Sequence, residues 1–259
     1  MRKLATAIIV AVSMVAMLLS GCLLGVVTGS GNLITKEMDF SGFTRVEVGN
    51  AFEVEIIQAD SYHVSVTADD NLFDYITVAK EGDTLKIALK PSYSYGSLTL
   101  RARVTMPNLY ALDLSGATKG TVSGFESSAD FALDLSGASS LAMSDMSARD
   151  IKLEASGASR VTGSIAAGDA EFDVSGASTV TLAGSANDIV VDASGASHVG
   201  LGDFPVNNAE VKLSGASRAT VNLSGRLDVD LSGASNLSYI GEPTMGDISI
   251  SGASTMSSK

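Results

Sequence analysis

The sequence predicts an all-β chain wound as a right-handed parallel β-helix, and three observations carry that expectation. The tetrapeptide Ser-Gly-Ala-Ser, or Ser-Gly-Ala-Thr, begins at Ser115, Ser136, Ser156, Ser175, Ser194, Ser214, Ser232 and Ser251, with spacings of 21, 20, 19, 19, 20, 18 and 19 residues. A fixed period near twenty leaves no room for a helix in each unit, which marks a solenoid of stacked coils. Before each tetrapeptide an apolar–polar–apolar triplet recurs, as in Leu112-Asp113-Leu114 and Phe172-Asp173-Val174, so period-two alternation turns one face to a core. The chain has no Trp, 5% aromatic residues and 26 glycines, which suits thin coils filled by small aliphatics. Right-handed winding follows from the handedness of parallel crossovers.

The elements can be justified in order. Arg2 and Lys3 precede an apolar stretch from Leu4 to Leu19, and Leu19-Ser20-Gly21-Cys22 places small residues before the chain's one cysteine. Residues 1–22 thus resemble a bacterial lipoprotein signal with its lipobox, and the resemblance implies that Cys22 is lipidated and becomes the mature N-terminus. Acyl chains contribute about 0.8 kcal/mol per buried CH₂, so a multiply acylated Cys22 would hold the protein at a membrane. With one cysteine, a chain can form no internal disulfide and no Cys-based zinc site. Residues 23–38 read as a linker.

From 39 to 110 the pattern is strand-rich but less regular. Candidate strands are Phe43 to Val48, Phe52 to Gln58, His63 to Thr67, Ile76 to Lys80, Thr84 to Leu89 and Leu98 to Thr105. Val46-Glu47-Val48-Gly49-Asn50-Ala51 looks like a degenerate Leu-Asp-Leu-Ser-Gly-Ala unit, and Gly49 stands 66 residues before Ser115. These strands therefore read as early, irregular rungs of one solenoid spanning 39–259. Asp69-Asp70-Asn71-Leu72 opens a short helical turn, and Glu81-Gly82-Asp83 makes a hairpin-like one. Pro91 to Gly96 is a loop whose Tyr93 and Tyr95 are candidate ligand contacts.

Residues 111–259 hold the regular coils, each long enough for three short strands and three corners. The glycine of the tetrapeptide supplies the positive φ of a sharp corner. The alanine, small in all eight copies, is expected to stack at an internal bend, and the serines to satisfy corner backbone groups. Eight copies argue against a serine nucleophile, since catalysis needs one serine and stacking needs them all. Coils about 4.8 Å apart would make eight rungs a rod roughly 35 Å long. The last tetrapeptide lies five residues from Lys259, so the C-terminal coil is expected to be covered by self-association or by its own last residues.

In-register stacking turns each outward position into a column. Two residues before each tetrapeptide stand Asp113, Asp134, Glu154, Asp173, Asp192, Lys212, Asp230 and Ser249. Neighbouring acids at this spacing repel by roughly 0.9 kcal/mol even in bulk-water dielectric. The five successive acids are either a solvated face with splayed side chains or a candidate cation-binding stripe, Ca²⁺ being the plausible ion. Four residues earlier, Asp130, Asp150, Asp169, Asp188 and Asn208 read as corner caps. Four residues after each first serine come Lys119, Ser140, Arg160, Thr179, His198, Arg218, Asn236 and Thr255, and Lys119, Arg160, His198 and Arg218 mark a candidate face for carbohydrate or an acidic partner.

The formal net charge is −12, and about −14 without Arg2 and Lys3 (15 basic against 29 acidic residues), which disfavours nucleic acid as a ligand. No single rung is chemically exceptional and no cofactor is called for. Two functions remain: a non-enzymatic, lipid-anchored surface module for adhesion, ligand binding or envelope assembly, or a polysaccharide-processing, lyase-like β-helix enzyme. The segments Phe40 to Val48, Phe52 to Asp60, Ala68 to Leu72, Gly82 to Leu85, Val104 to Leu109 and the Leu-Ser-Gly-Ala-Ser repeats together resemble the head GIN domain family of auto-transporter adhesins. That resemblance implies a right-handed β-helix on an exported protein and carries no catalytic residues.

Overall fold

The computed structural model describes residues 25–259. The signal segment and Cys22 lie outside the described residues.

The N-terminal part contains β1 (Val26–Val27), β2 (Leu33–Met38), β3 (Arg45–Val48), β4 (Glu53–Gln58), β5 (His63–Asp69), β6 (Ile76–Glu81), β7 (Thr84–Leu89), β8 (Ser94–Tyr95) and β9 (Leu100–Met106). The repeats follow as pairs: β10 (Ala111–Leu114) with β11 (Lys119–Ser123), β12 (Phe131–Leu135) with β13 (Ser140–Ser147), β14 (Ile151–Ala155) with β15 (Arg160–Ala166), and β16 (Asp169–Val174) with β17 (Thr179–Ser185). Four more pairs complete the chain: β18 (Asp188–Ala193) with β19 (His198–Val206), β20 (Asn208–Leu213) with β21 (Arg218–Leu223), β22 (Arg226–Leu231) with β23 (Asn236–Ile240), and β24 (Thr244–Ile250) with β25 (Thr255–Ser258).

The result is an all-β solenoid whose coils stack by parallel pairing about twenty residues apart. The even-numbered strands from β10 onward form sheet one, continued by β3, β7 and β6; the odd-numbered strands form sheet two, continued by β4, β9, β5 and β2. The coil thus has two strands where the repeat length allows three. In the middle coils the sheet-two strand runs long, to 8, 7, 7 and 9 residues in β13, β15, β17 and β19. β15 and β17 contain Gly163 and Gly184, both at positive φ, where a Cβ would overlap a carbonyl of the coil below.

The core is a double row from each sheet. Leu112, Leu133, Leu153, Phe172, Val191, Val211 and Val229 run one above the other on the inner face of sheet one, each at most 4% exposed. Sheet two answers with Leu141, Val161, Val180, Val199, Ala219 and Leu237. A register shift between Leu201 and Pro205 gives β19 extra length and sends Phe204 inward, edge-on to Phe172 with centroids 6.1 Å apart.

The tetrapeptide corner corrects one expectation. Its alanines, Ala138 and Ala177 among them, are exposed, and the buried small residue is the fourth: Thr118, Ser139, Ser159, Ser178, Ser197, Ser217 and Ser235 are at most 2% exposed. The corner carbonyl needs a donor inside the coil. Thr118, Ser139, Ser159, Ser217 and Ser235 supply it, each hydroxyl donating to the carbonyl of its own first serine at 2.7–2.8 Å. The alanine N–H instead points along the rod and donates to the glycine carbonyl of the previous coil, at 2.7 Å in every pair from Ala138–Gly116 to Ala253–Gly233.

The N-terminal region departs from a simple run of early rungs. The pair β3 and β4 lies directly under β10 and β11, with Glu47 in register with Asp113, as the degenerate repeat suggests. The next rung down, however, is β7 and β9, which come later in the chain. Below them β6, β5 and β2 run antiparallel and close the end. Residues 33–38, read as linker, are the outermost of these strands. Their pairing with β5 covers an edge that a solenoid cannot leave bare in sequence order. The opposite end differs: Met245, Ile248 and Ile250 of the last coil are exposed, and within the described residues no strand pairs beyond β24 and β25.

At the corner, Gly176→Ala should lower the melting temperature clearly, because Gly176 has φ +71 and an added Cβ overlaps the Gly157 carbonyl, so the cost exceeds the ~1 kcal/mol typical of a positive-φ alanine. Ala177→Leu should change stability by no more than about 0.5 kcal/mol, as for other exposed positions. Thermal unfolding followed by circular dichroism decides; the opposite ranking would return the alanine to the interior.

Candidate functional site

The functional surfaces are columns, because parallel in-register pairing repeats every outward position once per coil. On sheet one the structure brings Asp113, Asp134, Glu154, Asp173 and Asp192 into one continuous ladder, as the repeat spacing predicts, with Glu47 and Lys86 below and Lys212, Asp230 and Ser249 above. Ala155, Ser156, Ser175 and Ser194 join Asp134, Glu154, Asp173 and Asp192 around a shallow depression of about 310 Å³.

Crowded acids in a partly dry surface resist ionisation. Burial, then Asp134 and Glu47, push the Asp113 carboxyl up to about 6 against the opposing pull of Lys86. Asp134 is raised by burial and then by Glu154, and Asp173 by burial and then by Glu171. Two lysines that sequence reasoning passed over, Lys152 in the adjacent column and Lys86 at the foot of the ladder, relieve part of this. Lys152 Nζ lies 3.2 Å from Glu154, 3.3 Å from Glu171 and 3.9 Å from Asp173, and Lys86 reaches Glu47 at 3.2 Å. Lys152 sits two residues before Glu154, on the same outward face, so period-two alternation carries the signal that finds it. Among the described residues, no three carboxylates, histidines or cysteines converge as a metal ion requires.

The neighbouring acidic column is structural. Asp150 accepts the Asp169 N–H at 2.9 Å, Asp169 the Asp188 N–H at 3.2 Å, Asp188 the Asn208 N–H at 3.1 Å, and Asn208 the Arg226 N–H at 2.8 Å. Each side chain therefore caps the corner of the coil above. Asp130, at the foot of the column, pairs with Arg149.

Sheet two carries the opposite character. Lys119, Ser140, Arg160, Thr179, His198, Arg218, Asn236 and Thr255 stand in register. Glu53 and Arg101 continue the column downward as an ion pair at 3.3 Å, beside Arg103 and Glu55 at 2.8 Å. Among the described residues Lys119, Arg160 and Arg218 have no carboxylate within ion-pair distance, and the buried Nδ1 of His198 has no hydrogen-bond partner. An outward row of Thr121, Ala142, Thr162, Thr181, Gly200 and Thr220 runs beside them. At its N-terminal end this face opens into a groove of about 490 Å³ lined by Glu53, Glu55, Thr67, Arg101, Arg103, Lys119 and Thr121.

The loop tyrosines form a third feature. Tyr93 and Tyr95 gather with Tyr75, which sequence reasoning did not single out, at centroid distances of 5.0, 6.4 and 6.3 Å. The Tyr95 hydroxyl donates to the Lys90 carbonyl at 2.7 Å.

A family model described as "Putative auto-transporter adhesin, head GIN domain" matches residues 42–243. Among solved structures, a "putative adhesin" from Parabacteroides merdae superposes with TM-score 0.84 at 17% identity, covering 90% of this chain and 98% of the other. A "putative adhesin" from Parabacteroides distasonis gives 0.82 at 19%, covering 90% and 99%, and a "putative lipid binding protein" from the same species gives 0.74 at 19%, also covering 90% and 99%. At these identities the likeness shows the fold. No curated protein matches the chain.

A carboxyl whose folded pKa lies above its unfolded value of 3.8 favours the folded state at low pH, and that contribution is lost as pH rises through about 6. Asp113→Asn should therefore melt higher than the parent at neutral pH, with the difference closing towards pH 4. Melting curves across this range test it; a pH-independent difference would mean that Asp113 ionises as an ordinary carboxylate.

Proposed function

Since the chain belongs to the head GIN domain family of auto-transporter adhesins, we propose that it is a non-enzymatic module, exported and lipid-anchored through Cys22, that holds a ligand along the outer face of sheet two. The observation that carries this reading is the column of Lys119, Arg160 and Arg218, cations with no carboxylate partner among the described residues and interleaved with the hydroxyls of Ser140 and Thr179. Coils rise about 4.8 Å, so Lys119 and Arg160, two rungs apart, stand roughly 10 Å from one another, and Arg218 roughly 14 Å further on. Such a row fits an extended ligand with repeated acidic and hydroxyl groups, and an acidic polysaccharide is the simplest. Sheet one, lined with carboxylates, would repel the same polymer and leave one binding face.

A lyase-like reading needs an acid cluster and an Arg or Lys base gathered at one rung. Here the charges are spread along the rungs, which favours binding over turnover. The family supports an exported, surface location, and the membrane anchor rests on the Leu19-Ser20-Gly21-Cys22 motif.

On a glycan array, the parent protein should favour acidic polysaccharides, and a double Arg160→Ser, Arg218→Ser variant should lose at least about tenfold in affinity, consistent with two charge-assisted contacts. Incubation with the polysaccharides that bind should leave their length unchanged; shortened product would establish the lyase instead. Separately, Cys22→Ser should abolish metabolic labelling by a clickable fatty acid, and equal labelling of parent and variant would remove the anchor.

A further inference from the structure

Seven large apolar side chains are exposed among the described residues, and three of them, Val26 at 59%, Leu33 at 43% and Tyr93 at 51%, belong to the N-terminal end of the rod. Pairing of β1 with β8 sets Val26 beside Ser94 and Val27 beside Tyr95, so the exposed valine and the tyrosine cluster share one corner of the lowest rungs. The segment that follows has no slack. Gly96 N–H donates to the Val27 carbonyl at 2.9 Å, Gly29 N–H to Ser97 at 3.0 Å, and the Asn71 amide to the Thr28 carbonyl at 2.8 Å. Asp69, buried at 3% exposure, accepts the Gly31 and Thr99 N–H groups at 2.7 and 3.0 Å.

From this placement we infer that the N-terminal end of the solenoid is a membrane-seating surface, with Tyr75, Tyr93 and Tyr95 at the level of the lipid headgroups. The inference rests on acylation of Cys22, proposed above. Four residue steps separate Cys22 from Val26, so even a fully extended chain spans no more than about 14 Å. An acylated Cys22 therefore keeps the corner bearing Val26 and the tyrosines within reach of the bilayer surface, and the rigid 28–31 tie transmits that position to the rod. Tyrosine suits the place, having an apolar ring and a polar tip that favour the membrane–water boundary. Electrostatics disfavours lying on sheet one: Glu47, Asp113, Asp134, Glu154, Asp173 and Asp192 would bring its carboxylates against anionic headgroups.

The chain contains no Trp, so a single introduced Trp is a clean reporter. Full-length protein carrying Tyr93→Trp, or Tyr239→Trp near the far end as reference, would be purified from bacterial membranes. Each variant would be reconstituted into phosphatidylethanolamine–phosphatidylglycerol vesicles containing doxyl-labelled lipid. In floated vesicles the Tyr93→Trp emission should shift to the blue, with doxyl quenching at least about twofold greater than for Tyr239→Trp and with reduced access to acrylamide. Floated vesicles in which the two reporters quench alike would overturn the seating while leaving the anchor intact. Failure to float, with no acyl mass on Cys22, would overturn the anchor and the seating together. The same blue shift on adding an N-acetylglucosamine tetramer without vesicles would assign the tyrosines to glycan and reject the lipid surface.

Discussion

The contact on which the rest depends is the hydrogen bond from the corner alanine N–H, from Ala138 to Ala253, to the glycine carbonyl one coil below. It repeats at 2.7 Å along the whole array and leaves no room for a Cβ on the glycine. Because strand side chains alternate with period two, a slip of one residue at any corner would turn the buried leucines and valines outward. The corner contact prevents that slip once per coil. Three register shifts, including the one that places Phe204 inside, fall in the sheet-two strands away from the fixed corner, and one falls in β24 of sheet one between Met245 and Ile248.

Register held so strictly has an electrostatic cost. A coil that repeats its leucines in line must repeat its aspartates in line as well, and sheet one accumulates a ladder of carboxylates at strand spacing. The chain answers in three ways. Lys86, Lys152 and Lys212 flank or interrupt the ladder; Asp113, Asp134 and Asp173 hold their protons more tightly; and the second column of acids is engaged by backbone N–H groups of the coil above. On sheet two, by contrast, Lys119, Arg160 and Arg218 have no carboxylate partner among the described residues.

The regular coils were legible because their determinants are local and repeated. Eight copies of one motif fix the period, and alternation around it assigns Leu112 or Val211 inward and Asp113 or Lys212 outward. What escaped were features set by contacts that no single unit contains. The invariant alanine looked like a steric requirement, whereas the interior needed a hydroxyl to meet the corner carbonyl, and serine at the fourth position provides it. The order of the N-terminal rungs was hidden because β7 and β9 pair beneath strands that precede them, a choice of topology that composition does not record. Residues 33–38 seemed a tether for the same reason, their partner being β5 some thirty residues away. Of the candidate faces, the columns themselves were readable. Lys152 shares that outward face by the same alternation, whereas Tyr75 reaches Tyr93 only through folding.

The two ends of the rod are built differently, and this makes the number of coils a separable variable. The N-terminal closure is written once, in β2, β5, β6 and the Asp69–Asn71 tie, and contacts only the lowest rungs. Each coil above it touches only its neighbours. Duplication or loss of one twenty-residue unit in the gene would add or remove about 4.8 Å of height and one step of each column, without altering the base. The height of the rod and the length of its outward columns are therefore set by the number of coils, independently of how the base is closed.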